Sequence, residues 1–236
     1  MEVPDVPFRP PVVNRLLANL ARQEPACLLG TRDVVYLDAG QVLHETGQMI
    51  EYLYFPEDSI VSLLGVINGR NSLEIGLVGA EGVVGVAAVL GRGISQVRAV
   101  VQTPGTAVRI KSEHVLAACR QNPGLQYALR DNINTLLAQA IQIAVCSRFH
   151  PLEARLARSL LATRDHLHSG EFHLTHEYMA HALGVRRVGV TKAAGALQKR
   201  KLISYRRGAI KILDQAGLES ASCECYRIVK DLCDVS

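Results

Sequence analysis

No window of the chain approaches the roughly 18 consecutive apolar residues that a membrane-spanning helix needs, so no span is expected. The start, Met1 to Pro7, is acidic and proline-rich. It lacks the basic opening and apolar stretch of a signal peptide, which points to a cytoplasmic protein. No nucleophile motif is present, and no phosphate-binding glycine loop carries the needed lysine. Close cysteine pairs are nearly absent as well. Of Cys27, Cys119, Cys146, Cys223, Cys225 and Cys233, only Cys223 and Cys225 are neighbours. One C-x-C without a second pair is a weak zinc signal, so the cysteines read first as reduced residues packed in helices. A redox or metal role for Cys223 and Cys225 is the alternative.

What is present is a chain of two unlike halves. Its 236 residues leave room for two domains, and 48% hydrophobic content supplies a sizeable core. The net charge is only +4, but residues 148–211 hold 13 Lys and Arg against 4 Asp and Glu. The rest holds 13 against 18. A basic module attached to an acidic one is the footprint of a nucleic-acid binder joined to something else.

The basic half is organised from Leu174 to Leu213. Thr175 can cap a first helix with its hydroxyl, and Ala180 is small where two helices approach. Gly184 allows the left-handed turn that ends that helix. A second helix is predicted from about Arg187 to Lys201. Val190, Ala193 and Leu197 fall on its inward face, and Arg187, Val188, Thr191 and Lys192 on the other. A helix that reads the major groove needs this division. Leu202–Tyr205 and Ala209–Leu213 then read as two short strands. Arg206, Arg207 and Gly208 form the turn between them, placing two arginines at a hairpin tip where phosphates are reached.

The acidic half begins with helical spacing over residues 12–29, marked by Val12, Leu16, Leu17, Leu20 and Leu28. From Thr31 the pattern becomes short β-branched or aromatic runs: Val34–Leu37, Tyr52–Phe55, Ser59–Leu64, Leu73–Leu77 and Gln96–Val101. Turns at Asp38–Gly40, Asn68–Asn71 and Thr103–Gly105 separate them, as in a sandwich or closed roll. Ser112 to Arg120 reads as a short helix capped by Ser112. Asn122-Pro123 opens a long helix running to about Arg148. Leu129, Ile133, Leu136, Ala140 and Ile143 form a heptad seam expected to join two chains, with Leu137, Ile141 and Ala144 turned to the same chain. Phe149-His150-Pro151 breaks the helix and is the natural hinge. Leu152, Leu156, Leu160 and Leu161 mark the buried side of a helix over 151–164. Asp214 can cap a terminal helix carrying Leu218, Tyr226, Ile228, Val229 and Leu232.

A β-roll, a long dimer helix, a hinge and a winged helix-turn-helix, in that order, resemble the Crp/Fnr family of bacterial transcription regulators over about residues 12–213. The resemblance is most specific at Leu174-Thr175, Ala180, Gly184, Arg187, Val190 and Leu202-Ile203. It implies an α+β fold: an N-terminal β-roll of jelly-roll, cyclic-nucleotide-binding-like type (12–121), a dimerisation helix (122–148) and a C-terminal winged helix-turn-helix with a terminal helix (149–236). It implies a cytoplasmic homodimer on a two-fold palindrome in double-stranded DNA, with RNA polymerase as a further partner and no membrane. The expected DNA-binding residues are Thr175, His176, Arg186, Arg187, Val188, Thr191, Lys192, Arg206 and Arg207. Val188 departs from relatives that carry glutamate there, and valine suits a thymine methyl.

The cyclic-nucleotide cassette is not matched. Gly85-Val86-Ala87 stands where the family has Gly-Glu-Leu, and Ser95-Gln96 where it has Arg-Ser, so both charged anchors are missing. Arg92 and Arg98 are near but need not face inward. No cluster of cysteines near the N-terminus marks an iron–sulfur centre, and no cofactor or metal is assigned. His166, His168, His173, His176 and His181 crowd the helix-turn-helix entrance at irregular spacing, so a shared metal is the weaker reading. The rival from another class is a metal-dependent jelly-roll enzyme with an accessory basic domain. It would rest on His44-Glu45, but a catalytic site needs a third ligand. No catalytic residue is assigned. A scaffold using only the heptad helix to join partners would leave the arginines of the recognition helix unexplained.

Overall fold

The computed structural model describes residues 14–23, 32–68, 71–91 and 93–234. The β-branched runs of the acidic half become strands β1 (Asp33–Leu37), β2 (Val42–His44), β3 (Tyr52–Pro56), β4 (Ile60–Ile67), β5 (Asn71–Val78), β6 (Arg98–Thr103) and β7 (Gly105–Lys111). They pair antiparallel in two sheets, ordered β1-β7-β3 and β2-β6-β4-β5. Leu37, Val61, Val101 and Ala107 are buried together in the roll. Sequence reasoning missed β2 and β7. The turn between β6 and β7 is a single residue, Pro104, and the next residue must be glycine. A Cβ at Gly105 would lie 2.8 Å from the Ser59 amide nitrogen, and backbone cannot give way as a flexible side-chain tip can.

Of the helix expected over 12–29, α1 (Arg15–Gln23) is described. Val12, Cys27, Leu28 and Arg92 lie outside the described residues. Asn14 ties α1 to the roll: its amide donates to the Pro56 and Gly82 carbonyls at 2.8 and 3.0 Å, and its oxygen accepts from the Leu17 amide. Helix α2 (Ser112–Gln121) starts without the expected serine cap. Ser112 lies inside the first turn and donates instead to the Ile50 carbonyl at 2.6 Å. Helix α3 (Pro123–Phe149) is capped by Asn122, whose side chain accepts from the Leu125 amide at 3.0 Å. Pro123 occupies the first turn, where its missing N–H costs nothing.

The faces of α3 are the reverse of those expected. Leu129 is fully buried in the chain's own core with Leu53, Phe55 and Ile110, and Ile133 and Leu136 pack on the same cluster. Ile143 is buried and Ala140 half-buried within the single chain. The seam assigned to a second chain is therefore largely spent on the roll. Gln139 reinforces this docking, its side-chain oxygen accepting from the Leu77 amide of β5. Leu137 and Ile141, each 56% exposed, Ala144 and Val145 face outward instead, with Tyr127 at the start of the stripe. Both faces are apolar at helical spacing, so periodicity alone cannot say which one meets the roll.

After His150 and Pro151 come α4 (Leu152–Leu167), β8 (Glu171–His173), α5 (His176–Leu183), α6 (Arg187–Lys199), β9 (Ile203–Arg206), β10 (Ala209–Ile212), α7 (Gln215–Ala221) and α8 (Cys225–Asp234). Leu156, Leu160, Leu161, Met179, Val190, Leu197, Ile210 and Leu218 share one core. Strand β8, not foreseen, adds to the wing in the order β8-β10-β9. Asp214 caps α7 as expected, accepting from the Gly217 amide at 2.9 Å. The single terminal helix expected after it is broken between Ser222 and Glu224 into two. Among the described residues, no helix is long and apolar enough to cross a membrane.

The halves meet along several polar contacts. Glu81 of the roll lies 3.3 Å from His166 of α4. Gln102 of β6 donates to the Thr163 hydroxyl at 3.0 Å. Ser72 of β5 donates to the His181 carbonyl at 3.1 Å, bringing β5 against α5.

Candidate nucleic-acid interface

The interface is built on the α5–α6 pair. The Thr175 hydroxyl accepts from the Tyr178 amide at 3.1 Å and so starts α5. Gly184 ends it in the left-handed region, at φ 64°. Met179, Ala180, Ala182 and Leu183 turn inward from α5, and Val190, Ala193, Ala194 and Leu197 from α6. That burial leaves Arg186, Arg187, Val188, Thr191 and Lys192 exposed on one flank of α6 and its preceding turn. Arg186 is the N-cap residue, with no side-chain cap bond of its own. The pattern is a guanidinium pair, an apolar contact and an ammonium along about one and a half turns, which suits base edges and phosphates together.

The wing carries the second basic element. Arg207 and Gly208 form its tip with φ 50° and 90°, the positive values that a tight two-residue hairpin turn of type I′ requires. His173 of β8 holds the tip, its Nε2 lying 3.3 Å from the Arg207 carbonyl oxygen. Arg206 and Arg207 are exposed.

His176 behaves differently from the other residues expected at DNA. Its ring stacks on Tyr205 of β9 with centroids 4.1 Å apart, and its Nδ1 lies 3.0 Å from the Thr191 hydroxyl. Its Nε2 is buried without a partner. Burial first, and then the charge of Arg187, hold its pKa below the ordinary value. The side chain is thus engaged between helix and wing in the free protein.

The histidines at the entrance do not converge. His166 pairs with Glu81, His173 braces the wing and His176 stacks on Tyr205. Nor does His44-Glu45 form a ligand pair. Glu45 is held by Arg98 in a two-bond fork of 2.8 and 2.9 Å. His44 is buried edge-on to Tyr54, and burial pushes its pKa down to about 4. Among the described residues, the one group of three or more Cys, His, Asp or Glu able to hold a metal lies elsewhere, at Cys146, His150, Cys223 and Cys225. Sequence reasoning saw only the Cys223–Cys225 half of it. The missed signal was the Cys146-x3-His150 spacing at the end of the long helix.

At the cassette position, Gly85 turns at φ 89° into a 3-10 turn over Val86–Leu90. Val86 is buried in the core where a ribose-binding carboxylate would stand. Ser95 is buried and donates to the Val97 carbonyl at 2.7 Å. Arg98 is already paired with Glu45.

Two family models match the chain: a cyclic nucleotide-binding domain over residues 34–122 and a Crp-like helix-turn-helix domain over residues 154–221. The chain carries the two domains of a Crp/Fnr-type DNA-binding transcription regulator. Solved structures agree on the architecture. A Crp/Fnr-family transcriptional regulator from Eubacterium rectale superposes with a TM-score of 0.71 at 16% identity, over 88% of this chain and 97% of its own. FixK2 from Bradyrhizobium japonicum gives 0.69 at 14% identity, over 81% and 98%. A Crp/Fnr-family regulator from Thermus thermophilus gives 0.67 at 24% identity, over 80% and 98%. No match to a curated protein sequence was found. The Crp/Fnr domains leave the jelly-roll enzyme reading without support.

Proposed function

We propose that this Crp/Fnr-type regulator is a cytoplasmic homodimer that reads a two-fold palindrome in double-stranded DNA and is not an enzyme. The observation that carries the reading is the division of α6: Val190, Ala193, Ala194 and Leu197 buried, Arg187, Val188, Thr191 and Lys192 exposed. Arg187 and Lys192 reach base edges or phosphates, Val188 meets a thymine methyl, and the Arg206–Arg207 wing tip takes phosphate. Thr175 and Arg186 add contacts at the two helix starts. Three units divide the work between them, with the roll over 12–121, the dimer helix over 122–148 and the DNA-binding unit over 149–236. RNA polymerase is the further partner of such a regulator on its promoter.

The dimer face of this proposal is the exposed stripe of α3. Tyr127, Leu137, Ile141, Ala144 and Val145 replace the inward seam, because a helix face already packed on the roll cannot also meet a second chain. Two recognition helices must then lie about 34 Å apart to enter successive major grooves. Any signal works by favouring that spacing. With Val86 and Ser95 at the anchor positions, the signal is not a cyclic nucleotide.

Selection of bound sequences from a random DNA pool, at stated salt and without ligand, tests the reading. An enriched palindrome with half-sites one helical turn apart is the expected result. Enrichment of an asymmetric site would refute the dimer. No enrichment, alone and with cell extract, would refute sequence-specific binding.

A further inference from the structure

Four ligand atoms converge where the long helix, the hinge and the terminal helices meet. Cys146 lies in the last turn of α3 and His150 is the residue that caps it, so their i, i+4 spacing brings both to one face. The turn between α7 and α8 supplies Cys223, and Cys225 opens α8. The Cys146 and Cys223 sulfurs are 3.5 Å apart, as are Cys225 Sγ and His150 Nδ1. All four atoms lie within 4.8 Å of one another. Tetrahedral zinc, with bonds of about 2.3 Å to sulfur and 2.0 Å to nitrogen, needs ligand-to-ligand edges of about 3.5–3.8 Å. The space suits one ion and is too tight for a bridged cluster of irons.

We propose that Cys146, His150, Cys223 and Cys225 form a closed, mononuclear tetrahedral site for a zinc-type divalent cation, which fastens the terminal helices to the end of the long helix across the hinge. Three sulfurs and one imidazole are soft donors, suited to zinc, cobalt(II) or iron(II) and unsuited to magnesium or calcium.

Ordinary packing does not account for the arrangement. Buried cysteine usually serves as a small hydrophobe among apolar neighbours. Here the three buried cysteines form a separate cluster with only Ala154 as a packed apolar neighbour, and their sulfurs face one another. The groups around them are those that support a metal. His150 presents its other nitrogen, Nε2, to Glu224 Oε1 at 3.3 Å, the carboxylate–imidazole pairing that orients a ligating histidine. Gln142 donates to Cys225 Sγ at 3.0 Å, a bond that favours a thiolate. Three thiolates and a divalent ion leave one negative charge. The guanidinium groups of Arg155 and Arg158, both largely buried, lie close enough to interact with these cysteines and offset it. Arg158 Nε has no hydrogen-bond partner of its own. With no fourth position left open for water, the site has the character of a structural clamp and not of a catalytic centre.

The site spans about 80 residues of sequence, from the last turn of the long helix to the first residue of α8. Metal binding there links the hinge angle to metal supply, since a ligand that binds only the fastened form stabilises it by mass action.

The full chain, reduced and stripped of metal, is titrated anaerobically with cobalt(II). The expected result is one cobalt per chain with thiolate-to-metal charge transfer in the near ultraviolet and the intense visible bands of tetrahedral cobalt, all abolished by added zinc. His150 is partly exposed, so His150→Ala should keep its far-ultraviolet circular dichroism and weaken cobalt binding by more than about 100-fold. Glu224→Gln should weaken it by roughly 10–100-fold. His150→Cys should restore a tetrahedral spectrum. Absence of that spectrum in protein whose thiols titrate as reduced would overturn the proposal. So would cobalt uptake that His150→Ala leaves unchanged, because the ion would then sit elsewhere. Formation of a Cys146–Cys223 disulfide under mild oxidation, in protein that takes no metal when reduced, would replace the site with a thiol switch. The readout is metal, so it stands apart from whether DNA is bound.

Discussion

Glu81 of the β-roll and His166 of α4 meet at 3.3 Å across the boundary between the two halves of the chain. Burial alone would raise the Glu81 pKa, but the His166 imidazolium and its hydrogen bond hold it down at about 2. Burial alone would lower that of His166, and Glu81 raises it above the ordinary value. Arg15, Asp165 and Glu74 are charged groups near the pair, and Arg158, Arg164 and Lys230 line the same cavity.

A pH window for the docking of the halves follows from these directions. The Glu81 contribution is present above its unfolded pKa near 4.5 and is lost as pH falls toward 2. The His166 contribution is present below its unfolded value of 6.5 and is lost as pH rises through its higher folded value. In the difference between the parent and Glu81→Gln, which cancels groups such as His44 that titrate elsewhere, the contribution of the pair to the thermal midpoint should therefore be largest between about 5 and 6.5 and smaller on both sides. Glu81→Gln should cost about 3 kcal/mol at pH 6, the lower end for breaking a buried pair, and remove the alkaline fall. A variant with the unchanged profile would show that other groups set it.

Arg187 stands at the exposed start of α6. Arg187→Ala should cost about 1–3 kcal/mol of specific affinity and relax the preference at one base position. Comparing the selected motif of the variant with that of the parent reads this directly. An identical motif would remove Arg187 from base reading.

In the proposed complex the wing arginines take phosphate and read no base. Replacing Arg206 and Arg207 together by alanine should weaken all DNA sequences alike and lower the slope of log affinity against log salt by about 1–2. Titrations at several salt concentrations test this. Lost discrimination at an unchanged slope would place the wing in base contact.

The two faces of α3 should separate in mutagenesis. Ile141→Asp, on the exposed stripe, should give a folded monomer in sedimentation. Leu129→Asp should fail to fold, because it buries an unpaired charge in the roll's core. A dimeric Ile141→Asp protein would move the interface to another surface.

Gly195 has open space around it, and a methyl group added there would meet nothing within 4 Å. Gly195→Ala should stabilise the free protein by about 0.5–1 kcal/mol through helix propensity. It lies one turn beyond Thr191, so a simultaneous loss of DNA affinity would show that the backbone approaches DNA there. Thermal melts and binding titrations on one preparation separate the two effects.

Much of this architecture was legible because it depends on local chemistry. Thr175, Asn122 and Asp214 cap helices through bonds made within three residues, and Gly184 is dictated by a left-handed turn. The alternation of charge and apolar residues in α6 likewise needs no distant partner to be read. The strand β8 was invisible because three residues carry no period, and it exists only by pairing with β10.

What the sequence determined by itself, then, was the order of the main units from roll to long helix to helix-turn-helix and wing, the basic half and the exposed flank of its second motif helix, all encoded by short-range spacing and capping. Only the tertiary structure decided which apolar face of α3 meets the roll, since both have the same period and burial chooses between them. It alone turned His176 inward onto Tyr205. It alone brought Cys146 and His150 to Cys223 and Cys225, because residues some 75 positions apart become neighbours through the packing of α3 on α8 and not through any pattern in the chain.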